Sequence, residues 1–399
     1  MKPCIRVLTT ILILAAASAR AQVGSEAAEE LPVWLRGKTL EPTYSGGVAL
    51  IFDNRCNTCH QPGNVAPMPF LSFNEIRQWE VNSNTPMEVL VRSREMPPWP
   101  ADTSVGEFSN NQLLTDTETD LLIKWVEEGM PRGAGTYEST IERFDGWTIG
   151  KPDAIFDLPE YTVGENVEGE VKEFIVETNF PEDRWVVAAE ARPGDRYFVM
   201  GIEGGPLGSY HTGNPHRVFG QGRGMLLKAG QKVSVKVHYM KMKGYEETDR
   251  GTRLGVIFAK DDAPRADVGQ VVAEPSPFKL AAGQAGLSVI ATHEFADDAR
   301  VVSLTPILFQ RGKSVRAEAI LPDGSRQALL SIPRWNPMWQ YSYELKTPLA
   351  APRGTVIEVT AEFDNSAENI MNPDPSVEVD SGPAGEMFRA TIGVLRGGD

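Results

Sequence analysis

At 399 residues, 41% of them apolar, the chain is too long for one ordinary domain and apolar enough to bury a substantial core. Thirty-nine basic residues against 54 acidic ones leave a formal charge of −15, which argues against nucleic acid or an anionic membrane as partner. Frequent glycine (37) and proline (29) suit many short strands joined by turns.

The chain opens with Lys2 and Arg6 ahead of a short apolar run, Val7 to Ala17, and Ala19-Arg20-Ala21 fits a small-x-small cleavage site. This predicts a signal peptide over 1–21, export to the periplasm or beyond, and a mature start near Gln22. The run is too short to span a bilayer comfortably and no other long apolar segment follows, so no membrane span is expected after cleavage. Cleavage would remove Cys4 and leave two of the three cysteines, both in Cys56-Asn57-Thr58-Cys59-His60. An exported chain with no spare cysteine has no structural disulfide, so both thiols have another use.

Residues 22–42 read as a polar linker and residues 43–136 as helical. Ser45 can cap a helix through Val48, Leu50, Ile51 and Phe52, and Ser72 a second with Phe73, Ile76 and Trp79 along one side. Thr85-Pro86-Met87-Glu88 and Thr115-Asp116-Thr117-Glu118 both read as capping boxes, the last opening a helix that stops at Gly129. A second linker covers 137–155. Beyond it, Lys172 to Val176, Trp185 to Val187, Lys232 to Tyr239, Arg253 to Ala259, Val315 to Leu321 and Thr355 to Phe363 alternate as strands. Their number predicts two all-β sandwiches, 156–278 and 279–399, rather than an α/β fold.

Cys-x-x-Cys-His is the pattern in which two thiols add across the vinyl groups of a haem and the adjacent histidine lies beneath the iron. A zinc site would need further ligands nearby, and a redox dithiol would sit on a βαβ unit; neither accompanies Cys56 and Cys59. The expectation is one covalent haem c on Cys56 and Cys59 with His60 as axial ligand, inside a small all-α cytochrome c-like domain. For the second axial ligand the favoured residue is Met96, which follows a helix and is stiffened by Pro97 and Pro98; its alternative role is to fill the core beside Trp99. Met68 lies too close to His60 to reach the opposite haem face, and Met87 reads as packing. Histidine–methionine ligation points to electron transfer rather than oxygen chemistry.

Taken in order, Cys56 to Gly63, Met96-Pro97-Pro98-Trp99, Trp147 to Asp153, Glu182 to Trp185, His238-Tyr239, Gly255 to Lys260, Leu321 to Gly324, Trp339-Gln340 and Phe363 to Ser366 resemble a family of bacterial haem–copper fusion proteins. In that family a cytochrome c-like domain precedes a copper type II, ascorbate-dependent monooxygenase-like module, similar to peptidylglycine α-hydroxylating monooxygenase. The resemblance covers nearly all of the mature chain and implies two jelly-roll-like sandwiches, each bearing a copper. Of the ligands it implies, His238 and Met387 are present; the His-His pair falls on Met200-Gly201, and the second site's histidines fall on Ile307 and Phe309. A lone imidazole and a lone thioether hold copper weakly, so no copper-based hydroxylation is expected. A substitute copper site built from His211, His216, His238 and Met200 is the alternative; His293 reads as structural.

The expected function is therefore an exported monohaem protein exchanging single electrons with an exported redox partner, its β module serving for docking or as a scaffold. The alternatives are a haem-fed copper monooxygenase and a haem subunit of a larger exported redox complex.

Overall fold

The computed structural model describes residues 31–62, 64–66, 68–139, 146–167, 169–214, 216–220, 222–260, 266–382 and 385–396. The expected signal segment, the start of the first linker and Gly63 lie outside the described residues. No helix among the described residues is long and apolar enough to cross a membrane.

The helical elements are few and short. A single α-turn, Ala49–Ile51, lies between π-helical turns Tyr44–Val48 and Phe52–Cys56. Three α-helices follow, Phe73–Asn82, Met87–Arg92 and Asp116–Glu127. Ser72 caps the first, its Oγ accepting the Glu75 N–H at 3.3 Å, and Thr115 with Glu118 closes the capping box of the last. The box expected at Thr85 does not form: Pro86 takes the cap position and the Met87 N–H donates to the Glu80 carboxylate at 2.9 Å. Ser45 is not a cap either, because its Oγ donates to the carbonyls of Arg132 and Ala134, both at 3.1 Å, while Thr43 holds the cap position. Val48, Ile51, Phe52, Phe70, Ile76, Leu122 and Trp125 make a small core among these elements.

From Ala154 onward the described chain is strand and turn, apart from one 3-10 turn, Gly205–Leu207. One sheet runs in the order Ala154–Asp157, Arg253–Phe258, Arg184–Arg192, Arg223–Leu227, Ala266–Ala273, Phe388–Arg396, Ala299–Leu308 and Tyr343–Ala351, with His216–Val218 paired to Arg184–Arg192 as its ninth strand. Its two halves join where Ala266 and Asp267 pair in parallel with Arg223 and Gly224. A four-stranded sheet of Gly169–Glu177, Lys232–Met240, Val199–Glu203 and Ser209–His211 shares a core with the first half. A second, of Ala285–Glu294, Val356–Asp364, Gly312–Ile320 and Arg326–Ile332, shares a core with the other. The alternation of buried and exposed residues along Lys232–Met240 and Val356–Asp364 is the period-two pattern that one-sided burial requires.

The expected architecture, a small all-α cytochrome c-like domain followed by two all-β jelly-roll-like sandwiches, is corrected by this arrangement. The molecule is predominantly β, and the segment around the Cys-x-x-Cys-His motif is not a self-contained helical domain. Between Arg92 and Asp116 no helix forms; Trp99 and Ala101 are buried in the core of the second sandwich half, Phe108 bridges to Leu345, and the Ser109 N–H donates to the Glu344 carbonyl at 2.9 Å. The β part in turn is one continuous nine-stranded sheet that shares its cores with two four-stranded ones, with two further two-stranded sheets, Tyr161–Val163 with Glu247–Asp249 and Lys279–Leu280 with Val379–Asp380. The physical reason is that Trp99, Ala101, Phe108 and Leu113 find their burial against strands more than two hundred residues away, while Leu114 returns to the helical core.

Candidate functional site

The Cys-x-x-Cys-His motif begins on the π-helical turn Phe52–Cys56. The Cys59 and His60 N–H groups both donate to the Cys56 carbonyl, at 3.0 and 2.9 Å, which folds the motif into a tight turn. Asn64 pins the following loop, its amide donating to the Thr58 carbonyl at 2.8 Å and to Thr148 Oγ1 at 2.9 Å. The His60 ring stacks on Phe70, with centroids 4.2 Å apart and planes 11° from parallel, and its Nδ1 lies 3.1 Å from the Met68 carbonyl oxygen. A proton on Nδ1 directed at that carbonyl leaves Nε2 with its lone pair free to bind a metal. Burial pushes the His60 pKa below its ordinary value, against the opposing pull of the Met68 carbonyl, which favours the neutral imidazole that a metal needs.

Both thiols are free of disulfide. Cys56 is half-buried and opens to a cavity, and burial foremost, with Cys59 next, pushes its thiol up to about 12. A redox dithiol needs a lowered thiol pKa, so these cysteines are poorly suited to disulfide exchange. Beside them the Arg55 guanidinium meets the fully buried Glu118 carboxylate in two hydrogen bonds, 3.1 and 3.0 Å, fixing the motif to the helix Asp116–Glu127.

Cys56, Cys59 and His60 face a cavity of about 690 Å³, and Met96, Pro97 and Pro98 line the same space. That volume lies within the roughly 300–1,000 Å³ of small-molecule and cofactor pockets. Phe52, Phe70, Trp79 and Leu122 supply apolar wall from the helical side. His216, Trp339 and Tyr341 close it from the β side, Trp339 stacked on Tyr341 at 6.3 Å. Met68 contributes its carbonyl on the His60 side, and Met87 is buried in the small helical core while also touching the cavity. His216 was singled out in sequence only as a copper candidate; here its Nδ1 is buried without a hydrogen-bond partner among the described residues, and burial pushes its imidazole down to about 4. Trp339 and Tyr341 lie nearly three hundred residues from Cys56, and no local signal ties them to the motif.

The other copper candidates lie elsewhere. His211 and His238 occupy the strands on either side of Gly201, both in register with it, and a Cβ there would lie 3.5 Å from His211 Nδ1 and 3.7 Å from His238 Cδ2. His238 and Met387 line a separate cleft of about 470 Å³ together with Glu203, Lys236 and Arg389. In it the Glu203 carboxylate takes both His238 Nε2 and the Arg389 guanidinium. Burial pushes the Glu203 carboxyl up, but those two partners outweigh it and hold its pKa at about 2. His211 is buried, which takes its imidazole down to about 3. Ile307 and Phe309 are buried apolar residues, and His293 packs edge-on against Phe295. His216, on the first cavity, is not brought to this cleft, and no group of three or more His, Cys, Asp or Glu side chains that could hold a metal ion occurs among the described residues.

No family model and no curated protein matches the chain. Among solved structures, the major capsid protein P2 of bacteriophage PM2 aligns at 7% identity over 60% of this chain and 98% of its own, with a TM-score of 0.26. The structure of infectious bursal disease virus Gt strain aligns at 12% identity over 62% of this chain and 72% of its own, with a TM-score of 0.22. A two-domain protein of unknown function from Bacteroides fragilis aligns at 13% identity over 58% of this chain and 85% of its own, with a TM-score of 0.17. Values this low carry no inference about shared fold or function.

Proposed function

We propose that this chain is an exported c-type haem protein that transfers single electrons to or from an exported redox partner. The observation that supports this reading best is that one largely apolar cavity is faced by both motif thiols, His60 and Met96. A haem bound there would be held by thioether links to Cys56 and Cys59, with His60 Nε2 on one side and the Met96 sulfur as second ligand. When bound, the group supplies reversible one-electron chemistry at iron.

The chain's own part is to orient and to exclude water. The Met68 carbonyl and the Phe70 ring hold the His60 imidazole at a set angle. Phe52, Phe70, Trp79 and Leu122 keep the cavity apolar, and the β side closes it with Trp339 and Tyr341. That closure supports a scaffold role for the β module, with docking of the redox partner as its proposed second use. A copper role for His238 is less well supported, because the Arg389 cation already shares Glu203 with it and would repel a bound metal cation. The test is the visible spectrum of chain produced in an exporting host with haem-attachment machinery, recorded before and after acid–acetone extraction. A c-type spectrum that survives extraction agrees with the proposal, and loss of all colour to the solvent refutes covalent attachment.

A further inference from the structure

The chain is strongly acidic, with 54 acidic residues against 39 basic ones, yet four arginines line one pocket away from both clefts described above. Arg192, Arg196, Arg250 and Arg253 line it, with Asn64 and the backbone of Pro193, Gly194 and Gly251 completing the wall. Asp195 is the one acidic residue among those lining it, and its Oδ1 is occupied by the Tyr197 N–H at 2.8 Å. Tyr197 itself stands 96% exposed at the mouth.

The frame is built rather than incidental. Arg192 ends the strand Arg184–Arg192 and lies 5.1 Å over the ring of the buried Trp147. The turn carrying Arg196 is locked to the loop carrying Arg250: the Gly194 N–H donates to Thr252 Oγ1 at 2.8 Å, and a Cβ on Gly194 would lie 2.0 Å from the Arg250 carbonyl oxygen. Only glycine permits that approach, so the two arginine-bearing segments are held at a fixed spacing. Arg250 pairs with Glu160 at 3.2 Å and Arg253 with Asp157 at 3.6 Å, but these carboxylates are 66% and 71% exposed. Ion pairs this open to water are weak and readily exchanged for a better-placed anion. Arg192 and Arg196 feel each other's charge and also that of the buried Glu190 carboxylate, so an anion in the pocket would add to a partner they already have.

We propose that this pocket binds a small polyanion, a molecule bearing two or more carboxylate or phosphate groups, gripped by Arg192, Arg196, Arg250 and Arg253. Planar guanidinium forks match either oxyanion in paired hydrogen bonds. The cavity, about 650 Å³, is larger than one inorganic oxyanion needs and falls among small-molecule sites, roughly 300–1,000 Å³. Asn64 belongs to the loop after His60, so the site borders the motif without using its residues.

The test is calorimetric titration of the full mature chain with citrate and, separately, with pyrophosphate, against sodium chloride of equal ionic strength. Saturable one-to-one binding of either anion, weakened at least tenfold in R196Q and in R250Q, is the expected result; the better of the two anions tells carboxylate from phosphate. Heat matched by chloride, no saturable heat with either anion, or binding unchanged in both variants overturns the proposal. Should R196Q fail to fold, R250Q on its exposed loop carries the comparison alone. Because the readout is heat of anion binding, it succeeds or fails independently of haem attachment.

Discussion

The Nδ1 atom of His60 lies 3.1 Å from the carbonyl oxygen of Met68, and this contact decides which ring nitrogen is left to meet a metal. A neutral imidazole can donate from one nitrogen only, so the carbonyl fixes the tautomer as well as the ring angle. The loop that provides the carbonyl is itself tied back, the Phe70 N–H donating to the His60 carbonyl at 2.9 Å.

Met96→Ala should lower the reduction potential of the haem-loaded chain by on the order of a hundred millivolts, since a thioether axial ligand raises it within the ~0.8 V span that axial ligands command. Protein-film voltammetry measures this. An unchanged potential would transfer the role to another cavity-lining residue, with His216 the next to substitute.

Trp99→Ala should destabilise the fold by about 3–5 kcal/mol, the usual cost of removing a buried aromatic side chain. Trp99 is 8% exposed and packs against Tyr341 and Tyr343, with ring centroids 5.6 and 5.2 Å away. Denaturant unfolding followed by a β-sheet signal should therefore shift, although the residue falls within the 43–136 segment that the sequence reads as helical. A shift confined to the haem absorbance would mean that the 97–114 segment is not integral to the sandwich.

Glu190 should make stability fall as pH rises through the weakly acidic range. Burial pushes its carboxyl up to about 7, against the hydrogen bonds from the Thr148 and Ile149 N–H groups. Below its ordinary value of 4.5 both folded and unfolded states hold the proton; between 4.5 and about 7 only the folded state does, and unfolding gains. Glu190→Gln removes this titration, so its stability relative to the parent should improve from pH 4.5 to 7, by about 3 kcal/mol at most. Parallel urea curves for the two proteins across that range would contradict the assignment.

His238→Ala should leave the haem spectrum and potential unaltered, because His238 lines the other cleft. It should instead weaken acid resistance. Glu203 has its folded pKa lowered to about 2, so its contribution is full above 4.5 and lost as pH falls towards 2. Without His238 that pKa rises and the loss comes at higher pH, with a stability cost of about 1–3 kcal/mol at neutral pH. Stoichiometric copper in the parent that disappears in this variant would instead restore the monooxygenase reading.

The strands were legible where one face is buried. Val356–Asp364 alternates along its length and Lys232–Met240 does so as far as Val237, after which His238 and Tyr239 are both buried. Ser72 and the Thr115 box were legible because their partners lie three residues away. Thr85 misled because the Met87 N–H has a tertiary acceptor, Glu80, on the preceding helix. The all-α domain misled for the same kind of reason: Trp99, Ala101 and Phe108 carry apolar surface whose partners lie in strands near residues 330–345, beyond any local window. In the cavity, the motif residues were readable from spacing alone, whereas the wall supplied by His216, Trp339 and Tyr341 exists only through the fold.

Intact-mass spectrometry of chain purified from an exporting host, under denaturing conditions, tests the central claim most directly. The account predicts a mass higher than that of the processed polypeptide by one haem, carried on a peptide containing Cys56 and Cys59. A polypeptide of unmodified mass, with both thiols alkylatable or joined to each other, would contradict it.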